Sequence, residues 1–141
     1  MSVYADTSFI ASLYLKDLYS QQAWNAVSSR PRMWLTALHR AEWTNAVSQH
    51  IFRHSITETE AQEVHKQFSR DRAAGLWSEI ELPNNTFEVC IELARKYTPR
   101  FGVRTLDILH IAVALELKVA HFWTFDRRQA KLARTVGLKV S

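Results

Sequence analysis

The sequence of 141 residues is poor in the residues on which many kinds of site depend. Its only three glycines, Gly75, Gly102 and Gly137, lie far apart, which excludes both a phosphate-binding P-loop and a G-x-G-x-x-G turn. A single cysteine, Cys90, excludes an intrachain disulfide and any zinc site built from several cysteines. Only three prolines are present, and no low-complexity tract is visible. These absences remove the commonest loops for ATP, GTP and NAD.

A long uninterrupted apolar run is also missing. The most apolar stretch, 108–123, contains charged residues and histidines, and it falls short of the roughly 20 apolar residues that a membrane helix needs. Asp6 interrupts the first apolar stretch and no basic segment precedes it, so we expect no signal peptide. The lone cysteine in apolar surroundings is typical of a reducing compartment. We therefore expect a cytoplasmic protein without membrane contact.

What the sequence does contain is the composition of one globular domain. Hydrophobic residues make up 47% and charged residues 23%, and the length suits a single domain spanning 1–141. The net charge is +4, and twelve of the eighteen basic residues are arginines. Guanidinium groups bind phosphate through two parallel hydrogen bonds, so an anionic partner is compatible with this composition.

Short apolar segments alternate with helical patterns along the chain. The predicted strands cover 2–5, 33–36, 76–82, 120–125 and 138–140. The predicted helices start near Phe9 and then cover 19–29, 37–53, 57–74, 86–97, 105–117 and 127–136, with a basic loop at 98–104. Strands that alternate with helices in this way are joined by crossover connections. Such connections predict an α/β fold with a mainly parallel sheet of about five strands and helices on both faces.

Three of the five aspartates stand where functional sites form in such a sheet. Asp6 ends the first strand, Asp126 ends the strand 120–125, and Asp107 lies in the first turn of an otherwise apolar helix. Sites in parallel sheets lie beyond the carboxyl ends of the strands, so these carboxylates could share one edge. The alternative is that each of them caps a helix N-terminus.

Glu42 is a fourth candidate, because it lies on an apolar face of its predicted helix. A buried carboxylate needs a partner, and an ion pair with Arg40 or Arg104 would supply one. Alternatively, Glu42 joins the three aspartates. Four carboxylates without a cation repel one another, and a hard divalent metal with oxygen ligands relieves that repulsion. The residues therefore favour a site for Mg²⁺ or Mn²⁺.

Several segments resemble a known family, the PIN-domain ribonucleases, and specifically the VapC-type toxins of toxin–antitoxin pairs. The resemblance rests on 3–8 (VYADTS), 41–42 (AE), 104–115 (RTLDILHIAVAL), 124–128 (TFDRR) and 137–138 (GL). The first four pieces occur in this order and Gly137-Leu138 closes the series, so the resemblance extends over nearly the whole chain. The segment 58–82 matches no motif of the family that we can name.

The resemblance implies a PIN-like three-layer fold and an endoribonuclease that hydrolyses RNA with Mg²⁺ or Mn²⁺. Asp6 and Asp107 would be the principal metal ligands, Asp126 a ligand of a second or water-bridged metal, and Glu42 a ligand or a water-orienting base. The hydroxyl groups of Ser8 and Thr124 would orient the metal site. The resemblance also implies a homodimer that an antitoxin protein encoded nearby neutralises.

Basic residues and a histidine flank these acids in sequence. Arg100 and Arg104 precede Asp107, while Arg127 and Arg128 follow Asp126, so the four arginines could bind RNA phosphates or balance the acidic cluster. His110 follows Asp107 by three residues, and we expect it to be a hydrogen-bonded histidine within the apolar helix.

Two other classes of function fit parts of the sequence. A non-catalytic RNA-binding module could retain the fold without turnover, although all four acids are present. A phospho-acceptor signalling domain also clusters aspartates at strand ends. Such domains have paired acids after the first strand and a lysine near the last strands, whereas Asp6 stands alone and 122–126 contains no lysine.

Overall fold

The computed structural model describes all residues from Met1 to Ser141 as an α/β fold of four strands and seven helices. The strands are β1 (Ser2–Ala5), β2 (Arg32–Leu35), β3 (Trp77–Glu79) and β4 (His121–Trp123). The helices are α1 (Thr7–Tyr14), α2 (Ser20–Val27), α3 (Ala37–Phe52), α4 (Glu58–Ala73), α5 (Thr86–Phe101), α6 (Thr105–Glu116) and α7 (Arg127–Thr135). None of the seven helices combines the length and the apolarity that crossing a membrane requires.

The sheet is parallel throughout, as the alternation of strands and helices predicted, and its order is β3-β2-β1-β4. Val3 of β1 pairs with Met33 of β2 on one side and with His121 of β4 on the other. The chain starts in the middle of the sheet and adds strands outward in both directions. The carboxyl ends of β1 and β4 therefore lie side by side, and the segments that follow these two strands meet at one edge of the sheet.

Helices cover both faces of the sheet, which gives the three layers expected. Successive side chains of a strand point to opposite faces, so Val3 and Ala5 pack into one core while Tyr4 packs into the other. The first core includes Trp43 and lies among α1 to α4, and the second includes Leu132 and lies among α5 to α7. The PIN-like layering predicted from the sequence is confirmed.

The prediction of a fifth strand at 138–140 is wrong in extent. Gly137 has φ of +97° and ends α7, and Leu138 donates its amide N–H to the carbonyl of Ala133 at 2.9 Å. Because Leu138 closes the helix, only the residues after it are left to pair. A single parallel bridge between Phe122 and Val140 results.

The predicted basic loop at 98–104 is also shorter in the structure. Helix α5 continues through Pro99 to Phe101 and ends at Gly102, whose φ is +63°. Pro99 lacks an N–H, but a proline near the end of a helix removes only one bond of the ladder. The left-handed backbone at Gly102, rather than the proline, ends the helix.

Candidate active site

A cavity of about 250 Å³ lies beyond the carboxyl ends of β1 and β4, and all four predicted acids line it. Asp6 follows β1, Glu42 lies on α3, Asp107 lies on α6, and Asp126 precedes α7. We call the space between these four residues the acidic cleft. Four separate elements each contribute one carboxylate, so the cleft forms only when the sheet and both helical layers are in place.

Asp6 is the most buried of the four acids, with 4% of its surface exposed. Its Oδ1 accepts the amide N–H of Phe9 at 2.9 Å, so the residue is also the N-cap of α1. Burial raises the pKa of the Asp6 carboxyl, although the Phe9 amide, the electrostatic influence of His110 and the hydroxyls of Ser8 and Thr124 lower it in part. Asp6 is therefore a desolvated carboxylate for which a cation would be a favourable neighbour.

The two hydroxyl residues predicted to support the site both contact Asp6. Ser8 Oγ lies 2.8 Å from Oδ2 and 2.9 Å from Oδ1, and Thr124 Oγ1 lies 2.9 Å from Oδ2. Thr124 Oγ1 also accepts the amide N–H of Asp126 at 3.0 Å. One hydroxyl therefore links the residue after β1 to the residue before α7.

Glu42 is half-buried, and its partners are neither of the arginines considered from the sequence. Its Oε1 accepts a hydrogen bond from the Thr7 hydroxyl at 2.8 Å and a second, short one from Nε2 of His110. Burial acts to raise the pKa of Glu42, but the hydrogen bond and electrostatic influence of His110, with the Thr7 hydroxyl, outweigh it and leave the pKa below its usual value. The expectation that His110 is hydrogen-bonded is thus confirmed, and its partner is a cleft residue.

His39 fixes helix α3, which carries Glu42, to the end of β1. Its Nε2 donates to the carbonyl of Ala5 at 2.8 Å, and its Nδ1 accepts the amide N–H of Thr36 at 3.0 Å. Burial above all, and the neighbouring His110, lower the pKa of His39 well below its usual value, so the ring is neutral. The residue before Asp6 and the helix of Glu42 are therefore joined by one buried imidazole.

Asp107 faces the cleft from the first turn of α6. Its Oδ2 lies 3.6 Å from Nε of Arg104. Burial raises the pKa of the Asp107 carboxyl, Arg104 lowers it, and the nearby Asp126 carboxylate raises it again. The two aspartates are close enough to repel each other, which is the condition that a bound cation relieves.

Asp126 serves both of the roles that the sequence left open. Its Oδ1 accepts the amide N–H of Gln129 at 2.8 Å, which makes it the N-cap of α7, and the same side chain lines the cleft. Capping occupies one carboxylate oxygen and leaves the other free of hydrogen bonds within the chain. Asp6 and Asp126 are therefore helix caps and cleft residues at once.

Gln129 is a residue of this region that sequence reasoning missed. It is completely buried, its Oε1 lies 2.7 Å from Thr124 Oγ1, and its Nε2 donates to the carbonyl of Asp107 at 3.1 Å. It thus joins β4, α6 and α7 beneath the acids. An Asp-x-x-Gln spacing at a helix start was the available signal, since Gln is favoured at the third helical position after a cap.

Three of the four predicted arginines lie beside the cleft, and we call these the basic rim: Arg104, Arg127 and Arg128. They line an adjoining cavity of about 310 Å³ that shares Arg104, Asp107 and Asp126 with the cleft. Arg100 does not line either cavity, because its guanidinium lies over the ring of Phe101 at 4.9 Å from the centroid.

The chemistry of the cleft suits a hard divalent cation, because its donors are carboxylate oxygens with hydroxyl groups beside them. No three His, Cys, Asp or Glu side chains are arranged so that they could hold one ion between them. Mg²⁺ commonly retains several waters and takes only one or two carboxylates from the protein, so it does not need such a group of three. The raised pKa values of Asp6 and Asp107 indicate the repulsion and desolvation that an ion would offset.

Comparison with known proteins supplies the family. The sequence profile of the PIN domain matches residues 3–135. No match is found among curated protein sequences.

Several solved structures share the fold at low sequence identity, including the following three. VapC20 of Mycobacterium tuberculosis, a toxin that cleaves the sarcin-ricin loop, is 17% identical, with 96% of this chain and 95% of that chain covered and a TM-score of 0.70. VapBC2 of Rickettsia felis, bound to a DNA fragment from its promoter, is 15% identical over 100% of this chain and 98% of that chain, with a TM-score of 0.69. A toxin–antitoxin complex from Klebsiella pneumoniae is 16% identical over 88% and 86%, with a TM-score of 0.57. With the profile spanning nearly its whole length, the chain belongs to the PIN domain family.

Proposed function

We propose that this protein is a metal-dependent endoribonuclease and the toxin of a type II toxin–antitoxin pair. The observation that carries the proposal is the acidic cleft, in which four carboxylates from four elements meet beside the basic rim. Membership of the PIN family and the likeness to structures of toxins support it.

The residues of the cleft have distinct parts in this proposal. Asp6 and Asp107 would hold Mg²⁺ or Mn²⁺, Asp126 a second or water-bridged ion, and Glu42 would bind or orient the attacking water. When bound, the metal supplies an activated water at neutral pH and neutralises charge on the phosphodiester. Ser8 holds Asp6 in place, and no side chain is required as a nucleophile.

The basic rim would bind the phosphates next to the scissile bond. Arg127 and Arg128 are the first two residues of the helix that Asp126 caps, so the position of their backbone is fixed relative to the cleft. Arg104 lies 3.6 Å from Asp107, and it can serve both that carboxylate and a phosphate. The rim therefore gives an RNA strand a cationic path that leads to the acids.

A cleavage assay tests the proposal. With Mg²⁺ or Mn²⁺ the wild-type protein should cut RNA and leave a 5′-phosphate and a 3′-hydroxyl, because water attacks and the ribose 2′-hydroxyl does not. EDTA should stop the reaction, and Asp6→Asn or Asp107→Asn should each reduce the rate by at least about 100-fold, as expected when an electrostatic group of a reaction centre is lost.

The matched control is Glu63→Gln, which removes the same charge from an exposed position on α4 whose only ion pair is with Lys66. This variant should cleave like the wild type. Products with 2′,3′-cyclic phosphate, or activity that persists in EDTA, would reject the metal mechanism. RNA binding without cleavage would indicate the non-catalytic module instead.

A further inference from the structure

Glu42 is held through only one of its two carboxylate oxygens. The Thr7 hydroxyl and Nε2 of His110 both contact Oε1, whereas Oε2 accepts no hydrogen bond from the chain. The side chain lines the acidic cleft. The carboxylate is therefore fixed by one oxygen while the other remains available to a ligand.

His110 is in turn held from its other ring nitrogen. The ring is 1% exposed, and the hydroxyl of Tyr4 lies 2.7 Å from Nδ1. A carboxylate only accepts hydrogen bonds, so the hydrogen between His110 and Glu42 belongs to Nε2. In a neutral imidazole the Nδ1 atom is then an acceptor, and the Tyr4 hydroxyl is its donor.

Tyr4 is well placed to enforce this arrangement. It is completely buried in the middle of β1, and its ring packs against His39 and His110 with centroids 4.7 Å and 5.7 Å away. A buried hydroxyl without a partner is costly, so the contact with Nδ1 is strongly favoured. The three side chains come from the central strand, α6 and α3, and they form one chain of hydrogen bonds that ends at the cleft.

We propose that His110 is a positioning residue whose Nε2–H holds Oε1 of Glu42, and that the Tyr4 hydroxyl fixes the tautomer of His110 that can donate this bond. The inference rests on the proposed function to the extent that Glu42 is assigned there to the metal or its water. Groups that orient a metal-binding side chain in this way typically contribute 10- to 100-fold in metal affinity or activity.

The first experiment reads the tautomer directly in the wild-type protein. Long-range ¹⁵N–¹H correlation spectra of the metal-free protein, labelled at histidine, distinguish a protonated Nε2 from a protonated Nδ1. The His110→Gln spectrum identifies the signals of this ring. We expect hydrogen on Nε2 alone. Hydrogen on Nδ1 alone would overturn the proposal, and hydrogen on both ring nitrogens would overturn the role of Tyr4, because Nδ1 could then not accept a hydrogen bond from its hydroxyl.

The second experiment compares two amide substitutions that place an N–H differently. His110→Gln can present its amide N–H where Nε2 stands, and His110→Asn presents its N–H nearer to the place of Nδ1. Binding of Mn²⁺, followed by electron paramagnetic resonance of the free ion, should weaken by about 10-fold or more in His110→Asn. In His110→Gln it should stay close to the wild-type value, and Tyr4→Phe should lie between them.

The outcomes separate this inference from the nuclease proposal. If His110→Asn weakens Mn²⁺ binding but the wild-type protein does not cleave RNA, the nuclease assignment fails and the positioning role stands. If Gln and Asn at position 110 bind Mn²⁺ equally, the positioning role fails whatever the RNA assay gives. Thermal melts monitor folding of each variant, and the tautomer measurement decides the question if His110→Asn does not fold.

Discussion

Single carboxylates in this protein cap helices and at the same time line the acidic cleft. Asp6 caps α1 and Asp126 caps α7, and both also line the acidic cleft. The coincidence follows from the topology, because a helix that starts directly after a parallel strand has its N-terminus at the edge where sites form. A capping interpretation and a metal-site interpretation of such an aspartate are therefore compatible.

The stability of Asp6→Asn separates these two tasks in the metal-free protein. A carboxyl whose folded pKa is raised favours folding at low pH and loses that contribution as pH rises through the folded value. At neutral pH the buried charge of Asp6 thus costs stability, on the order of 1 kcal/mol for each unit of pKa elevation. Asparagine keeps an acceptor for the Phe9 amide, so Asp6→Asn should be as stable as the wild type or more stable.

Urea unfolding in EDTA at pH 7.5 and near pH 4 provides the measurement. The advantage of Asp6→Asn should be present at pH 7.5 and should shrink at acid pH, and Asp107→Asn should behave in the same way because its pKa is also raised. Glu63→Gln is the exposed control and should show neither effect. A marked loss of stability in both aspartate variants at neutral pH would contradict this prediction. It would mean that the hydrogen bonds and ion pairs of the two carboxylates stabilise the fold by more than their buried charge destabilises it.

The site residues that the sequence predicted differ from those that it missed in whether a local sequence pattern identifies them. Asp6, Asp107 and Asp126 were identifiable because each has a fixed local relation to a strand end or a helix start. The partner of Glu42 was not, since His110 lies 68 residues away in the chain. The two residues lie on α3 and α6, in different helical layers, and only the tertiary fold brings them together at the edge of the sheet. No local pattern encodes that approach.

At the scale of elements, periodicity and caps predicted all seven helices and four strands to within a few residues. The capping box at Thr57 and Glu60, for example, begins α4 as expected. The predicted and observed boundaries differ mainly where a glycine determines the end of a helix. Helix α5 ends at Gly102, later than the predicted end at 97, and at Gly137 the chain turns so that Leu138 closes α7. The positive φ of Gly137 is the reason that Leu138 bonds back to α7 and does not start a strand.

Helix α5 also carries the face on which we expect a second copy of the chain to pack. Phe87 and Ile91, one turn apart, are 59% and 55% exposed, and Leu106 at the start of the neighbouring α6 is 47% exposed. The other side of α5 packs against α6. Large apolar side chains left in water favour self-association, so we propose that this face forms the homodimer.

Ile91→Lys should therefore convert a dimer into a monomer, because it places a charge within a buried apolar contact. Light scattering after size exclusion gives the mass directly. Glu92→Gln, next to it on the same helix, is the control and should leave the mass unchanged. A wild-type protein that is monomeric at high concentration, or an Ile91→Lys variant with the mass of a dimer, would contradict this interface.

At the scale of the whole molecule, a basic chain carries one local concentration of carboxylates. The chain has a net charge of +4, yet four of its fourteen acidic residues meet in one cleft beside the basic rim. An inserted arginine can form charge-assisted hydrogen bonds with such carboxylates and occupy the place of a metal. We therefore expect the antitoxin to inhibit by pointing an arginine toward Asp6 and Asp107.

Growth of a bacterial host tests the molecule as a whole. Expression of the wild-type chain alone should arrest growth, and Asp6→Asn should abolish the arrest while the protein still accumulates. Co-expression of the small neighbouring reading frame should restore growth and give a complex that co-purifies. In that complex, replacing the arginine of the partner by alanine should restore RNA cleavage without releasing the partner, because the contacts outside the cleft remain. If the wild-type chain accumulates without arrest, without RNA decay and without a partner, the toxin assignment is wrong.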